Sequence, residues 1–294
     1  MTQESTILFG VGATKAGTTW LYNHLASHPE CHLRSIKELH YFDSIASGNV
    51  ERQLKLRAAA AERLASAAST DADRAAATAA RRADLAQWIG VLERQGEDIP
   101  AYLAYLTAGQ GGRRLVADIT PSYGLLPVDR LRAMAAIGPD VRFVYLMRDP
   151  VARLWSHVRM LARRSVAAAA DFPAVAHDLL QRILAGAPSG AVARGDYAAA
   201  ITRLRAAVDP QRLLVMFQED LMSRPGLARL CGFLGIAVQP AAFGRRVHQG
   251  APLSMTEEQR LGACVFLRSQ YEFVARQFSD VPDAWRKNMA EVVG

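Results

Sequence analysis

Apolar residues along this chain gather into five short runs, separated by stretches in which they recur every three or four positions. The runs are Ile7-Leu8-Phe9, Glu30 to Leu33, Leu115-Val116-Ala117, Val141 to Met147 and Leu213 to Phe217. Each has the length and composition of a buried strand. Between them Trp20, Leu21 and Leu25, then Val151, Leu154, Trp155 and Val158, then Ile201, Leu204 and Val208, mark the inner faces of helices. Strand and helix alternate, which predicts one α/β domain over residues 1–294, with a central parallel sheet of about five strands flanked by helices.

One long region breaks the alternation. From Gly48 to Gly90 there is no internal Gly or Pro, and alanine is densest between Ala58 and Ala86. Such sequence is strongly helical. A capping box within Ser69 to Asp73 divides it, so residues 51–94 are expected to form a two-helix insertion. Its apolar faces (Leu54, Ala58, Ala61, Leu64, then Leu85, Trp88, Ile89, Leu92) are mostly small, which predicts a weakly held lid. Residues 35–43 are expected to be a loop. Asp149 with Pro150 predicts a helix start after the fourth strand. A second capping box, Ser254 to Glu257, leads into residues 254–294, expected as one long C-terminal helix carrying Phe266, Tyr271 and Phe278.

Half of the 294 residues are hydrophobic, which excludes a disordered chain. The net charge of +7 favours an anionic ligand. Arginine carries the excess, scattered and without interleaved aromatics, which argues against nucleic acid as a partner. Cys31, Cys231 and Cys264 have no paired spacing, so neither a zinc nor a redox motif is expected. MTQES lacks a basic segment followed by an apolar core, so no signal peptide is expected, and no apolar run approaches the roughly 20 residues of a membrane span. A cytoplasmic protein with no transmembrane segment is expected.

The first strand runs through Gly10 and Gly12 into Lys15-Ala16-Gly17-Thr18-Thr19, and a helix follows. This P-loop-like arrangement aims backbone N–H groups and a positive helix end at one point, where a phosphate can sit. A Walker A loop is excluded because Gly follows Lys15 instead of preceding it. A dinucleotide fingerprint is excluded because Lys15 stands where the third Gly belongs. Ser35 to Asp43 concentrates Glu38, His40 and two aromatics. Arg148 ends the fourth strand, where its fork can grip a phosphate, and Ser156 lies two turns into the next helix.

In type and order these segments resemble the sulfotransferases that use 3′-phosphoadenosine 5′-phosphosulfate (PAPS), in particular the bacterial and heparan-sulfate-type branch. The resemblance implies that Lys15, Ala16, Gly17, Thr18 and Thr19 bind the phosphosulfate, and that Arg148 and Ser156 bind the 3′-phosphate. It also implies that Glu38, in Lys37-Glu38-Leu39-His40-Tyr41-Phe42, is the catalytic base. Lys15 would stabilise the leaving phosphate, and His40 would orient Glu38 or the acceptor, or act as the base itself. Trp20 would stack near the adenine or serve as a core aromatic. Two departures stand out: Ile119 replaces the Lys that heparan-type enzymes carry there, and His248 to Pro252 has no Lys or Arg where the family's late 3′-phosphate loop lies. No carboxylate cluster has metal-ligand spacing, and none is needed for sulfuryl transfer. The product would be 3′-phosphoadenosine 5′-phosphate (PAP), and the acceptor a small molecule, lipid or carbohydrate bearing a hydroxyl or amine. A nucleotide kinase and a non-catalytic nucleotide- or anion-binding protein are the alternatives.

Overall fold

A computed structural model describes residues 5–66, 71–94, 96–241, 243 and 253–293. The five apolar runs form strands β1 (Thr6–Gly12), β2 (Cys31–Leu33), β3 (Leu115–Asp118), β4 (Val141–Met147) and β5 (Leu213–Phe217). They make one sheet in the order β2-β3-β1-β4-β5, and every pairing is parallel. Ile7 stands opposite Val116 on one side of β1 and opposite Val141 on the other. β1 is thus the switch point: the chain first builds outward to β2 and β3, then crosses to β4 and β5. Ligands bind beyond the carboxyl ends of strands at such a point. Helices cover both faces, which is why β1 and β4 read as nearly unbroken apolar runs.

Before the third strand run α1 (Thr18–Ala26), α2 (Tyr41–Ala46), α3 (Val50–Ser66), α4 (Ala72–Leu92) and α5 (Ile99–Thr107). A 3-10 turn (Pro121–Leu125) and α6 (Val128–Ala135) follow β3, and α7 (Pro150–Ser165) follows β4. Then come α8 (Phe172–Leu184), α9 (Gly190–Ala193) and α10 (Tyr197–Ala207) before β5, and α11 (Gln218–Leu221) and α12 (Arg224–Leu234) after it. The last three are α13 (Glu257–Phe266), α14 (Arg268–Gln277) and α15 (Asp283–Ala290).

Several expectations need correction. Residues 41–46 are helical, because Tyr41 and Phe42 turn inward to meet Tyr102 and Phe9 instead of lying along a loop. Asp71 caps α4, accepting from the Arg74 N–H; Ser69 and Thr70, which share the expected capping box, lie outside the described residues. The capping box near the C-terminus is Thr256 with Gln259, two residues later than expected. The segment after it is three helices. Tyr271 must reach the start of α7 while Trp285 packs on Phe217 of β5, and one straight helix cannot serve both.

The insertion is half what its composition predicts. α3 buries no residue, and it packs on α4. α4 buries Leu85, Trp88 and Leu92 in the core. Trp88 meets Tyr105 at 4.7 Å and Tyr41 at 6.0 Å between ring centroids. Asp84 on the same helix pairs with Arg34 at 2.6 Å and accepts from the Tyr105 hydroxyl at 2.8 Å.

Candidate active site

The loop between β1 and α1 owes its shape to two left-handed residues. Lys15 has φ 73° and Gly17 φ 95°. A Cβ at Gly17 would stand 3.2 Å from Cγ of Gln218, so glycine admits α11 against the loop. Gly17 is the N-cap of α1 and offers no side chain, so the first N–H groups of the helix are left uncapped. Ala16 turns inward and gives its N–H to the Ala13 carbonyl at 3.1 Å. Lys15, Gly17, Thr18 and Thr19 line a cleft of about 2210 Å³.

Arg148 leaves β4 into the same cleft, where its Nη1 donates to the Lys15 carbonyl at 3.4 Å. Its own backbone is held by the Tyr197 hydroxyl, which donates to the Arg148 carbonyl at 2.5 Å. Asp149 caps α7 by accepting from the Ala152 N–H at 2.8 Å. Ser156 also lines the cleft. Among the described residues neither Lys15 nor Arg148 has a carboxylate partner. Burial, and then the charges of Arg148, Arg164 and Arg159, hold the Lys15 ammonium below its ordinary pKa.

Glu38 enters from the β2 side. Its carboxylate accepts from Lys37 Nζ at 2.8 Å and lies 3.4 Å from His40 Nε2, while His40 Nδ1 meets Asp43 at 2.7 Å. Burial alone would raise the Glu38 pKa, but the His40 hydrogen bond and the Lys37 charge outweigh it and bring it to about 2. Burial would likewise lower that of His40, yet Asp43 and Glu38 lift it to about 9. At neutral pH the group is therefore a histidinium between two carboxylates. Glu38 (φ 65°) and His40 (φ 57°) are both left-handed, a strained backbone for such residues.

Asp118 holds that strain in place. It is 1% exposed and accepts from Tyr123 at 2.7 Å, Tyr102 at 3.0 Å and Thr120 at 2.6 Å. The Tyr123 oxygen in turn accepts the Tyr41 N–H at 3.0 Å, next to His40. Arg57 of α3 adds a bond from Nη2 to the Glu38 carbonyl at 2.5 Å, and Arg52, Gln53 and Leu56 line this end of the cleft. Trp20, on the first turn of α1, lines the cleft as well. It stacks on His24 (5.1 Å, 7°) and Phe243 (6.1 Å, 13°), buried but still part of the cleft wall.

All the side chains singled out from the sequence except Ala16 thus meet in one cleft. Ile119 faces Gly10 in the core, at 2% exposure, so position 119 presents no side chain to the cleft. His248 to Pro252 lie outside the described residues. Asp118, Asp43, Arg57 and Gln218 were not assigned roles from the sequence. Only Asp118 and Asp43 sat inside motifs that could have flagged them; Arg57 and Gln218 enter through tertiary packing alone.

Fold and site together define a P-loop-like α/β protein whose Lys15 loop is not of the Walker type. Residues 8–240 match the Sulfotransferase family, and the chain belongs to it. The match is to the family as a whole and does not single out the heparan-sulfate-type branch. A search of curated proteins finds no match. Among solved structures, the sulfotransferase from Alicyclobacillus acidocaldarius is similar, with 20% identity and a TM-score of 0.60 over 96% of this chain and 99% of that one. The sulfotransferase domain from the curacin biosynthetic pathway has 21% identity and a TM-score of 0.48, covering 81% of this chain and 76% of that one. Among the described residues no helix is long and apolar enough to cross a membrane, and no group of three or more His, Cys, Asp or Glu could hold a metal.

Proposed function

We propose that this protein transfers a sulfuryl group from PAPS to a hydroxyl or amine of a small-molecule, lipid or carbohydrate acceptor, without a bound metal. One observation carries the reading. An uncapped helix start, Lys15 and Arg148, all without carboxylate partners among the described residues, share a cleft with an ionised Glu38. The first group fits a doubly anionic ligand, and the second fits the base that its acceptor needs.

Bound there, PAPS supplies a sulfuryl group whose leaving oxygen gains negative charge as its bond to sulfur breaks. Lys15 and the loop N–H groups are fixed where that charge develops and need no reorganisation. Arg148 and Ser156 hold the 3′-phosphate, and Trp20 with Phe243 offers an aromatic face to the adenine. Glu38 takes the acceptor proton. With a pKa of about 2 it is a weak base at rest, so an acceptor must displace Lys37 or His40 to raise its basicity.

Calorimetric titration with PAP, in the presence of a chelator, tests the reading. Binding is expected, and Arg148→Ala should weaken it by roughly 1.5–3 kcal/mol, the worth of a charge-assisted contact. Binding of ATP in preference to PAP, or loss of PAP binding on chelation, would point to a metal-dependent kinase instead.

A further inference from the structure

α3 turns one stripe of side chains into the cleft. Arg52 and Leu56, and beside them Gln53 and Arg57, are two pairs one turn apart, and all four line it. Leu54 and Ala61, on a neighbouring stripe, pack against the core. The cleft-facing stripe is tied to Glu38 directly, because Arg57 Nη2 donates to the Glu38 carbonyl at 2.5 Å.

Arg57 is short of acceptors. Its Nε is buried with no partner, and besides the Glu38 carbonyl its Nη2 reaches only Gln53 Oε1, at 3.5 Å. Burial holds its pKa below the ordinary value, and Tyr105, Glu38, Asp118 and Tyr123 offset that only in part. The neighbouring cations of the Glu38 segment are already matched: Lys37 meets Glu38, and His40 lies between Glu38 and Asp43. Among the described residues no carboxylate pairs with Arg57 or with Arg52. Both are left for the anion of a ligand.

The same end of the cleft carries an apolar wall. Among the described residues five large hydrophobic side chains are exposed, and of these Leu56 and Leu125 line the cleft. An isolated exposed leucine is ordinary. These two, however, come from different elements that meet at the Glu38 segment. Leu125 ends the 3-10 turn whose Tyr123 hydroxyl accepts the Tyr41 N–H at 3.0 Å, and both that turn and α3 pack on α2. Pro121, Leu126 and Pro127 extend the wall along the turn.

Resting on the PAPS reading above, we propose that the acceptor is a hydroxy acid with an apolar chain: Arg57, aided by Arg52, binds its anionic group, and Leu56 with Leu125 receives the chain. Because Arg57 bonds Glu38 itself, the hydroxyl and the charge stand only a few bonds apart. The hydroxyl gives its proton to Glu38, and its oxygen bonds to sulfur as the bridging oxygen–sulfur bond of PAPS breaks and PAP leaves. A neutral sugar would leave Arg57 unmatched and both leucines in water.

Three probes isolate these features: 2-hydroxydecanoate, its methyl ester, which lacks the charge, and lactate, which lacks the chain. With the full chain and PAPS, following the mass gain of one sulfo group, kcat/KM for 2-hydroxydecanoate should exceed that of either other probe by about tenfold or more. Arg57→Ala should bring the acid and its ester to within about twofold of each other. Leu56→Ser, at an exposed position, should lower 2-hydroxydecanoate about fivefold while lactate stays within about twofold. If Arg57 served only to hold Glu38 in place, Arg57→Ala would lower acid and ester alike, and that result would overturn the proposal. So would a Leu56→Ser variant that keeps the full preference over lactate, or a wild-type protein that binds PAP yet does not sulfate 2-hydroxydecanoate. A wild-type protein that does not bind PAP would overturn the PAPS reading itself, a distinct result.

Discussion

The hydroxyl of Tyr271 donates to the carboxylate of Asp149 at 2.7 Å. The other oxygen of Asp149 accepts from Asn288 Nδ2 at 3.1 Å as well as from the helix it caps. Two C-terminal helices, both beyond the family match, are thereby bolted to the residue that follows Arg148. Tyr271→Phe should cost roughly 1.5–3 kcal/mol of stability, since a buried carboxylate loses a donor. It should also weaken PAP binding by loosening Arg148. Leu227→Ala, a core truncation away from the cleft, serves as the control: a comparable loss of stability with unchanged PAP affinity is expected.

At Lys15, stability and function are opposed. Its backbone is left-handed, and burial together with the arginine charges disfavours its ammonium. Lys15→Gly relieves both penalties, so Tm should rise, with about 1 kcal/mol coming from the backbone alone. Turnover should fall about 10²–10³-fold, as when one oxyanion donor is removed. A lower Tm in the variant would contradict this account.

The Glu38–His40–Asp43 group sets two pH dependences. His40 is raised to about 9 from 6.5, so its contribution to stability is complete below pH 6.5 and is lost as pH climbs through about 9. Wild-type Tm should therefore fall between pH 7 and 10 by more than that of His40→Gln. Glu38 is lowered to about 2 from 4.5, so its contribution is present above pH 4.5 and is lost as pH falls through about 2. In His40→Gln the Glu38 pKa should rise, moving the acid limb of kcat/KM to higher pH. An unmoved limb would remove Glu38 from the role of base.

The two helices of the insertion should respond differently to truncation. Trp88→Ala in α4 should cost about 3–5 kcal/mol, as for a fully buried aromatic. Leu64→Ala in α3, where nothing is buried, should cost about 1 kcal/mol or less. Removing the whole insertion would therefore unfold the protein, whereas shortening α3 alone tests whether the Arg52 to Arg57 face selects the acceptor. Urea denaturation of the two point variants measures the contrast.

Much of this was legible in the sequence. The apolar runs announced all five strands because strands buried on both faces tolerate little polarity, and Lys15, Glu38 and Arg148 followed from short motifs at strand ends. What could not be read depended on long-range packing. Trp88 gave no sign that it would find Tyr41 and Tyr105, so α4 looked as weakly held as α3. The bend between α13 and α14 answers to Tyr271 and Trp285 seeking different partners, which no local propensity encodes.

The central place of β1 has a consequence for redesign. Glu38 and the 3-10 turn follow β2 and β3 on one side of it, while Arg148 and Gln218 follow β4 and β5 on the other. The Lys15 loop is the seam between these halves. On the proposed function the nucleotide lies on the β4–β5 half, so segments of the β2–β3 half could be exchanged to accept new molecules while that half is kept intact. Screening such chimaeras for retained PAP affinity before assaying any acceptor would make the protein a modular scaffold, cut along a line the sheet itself supplies.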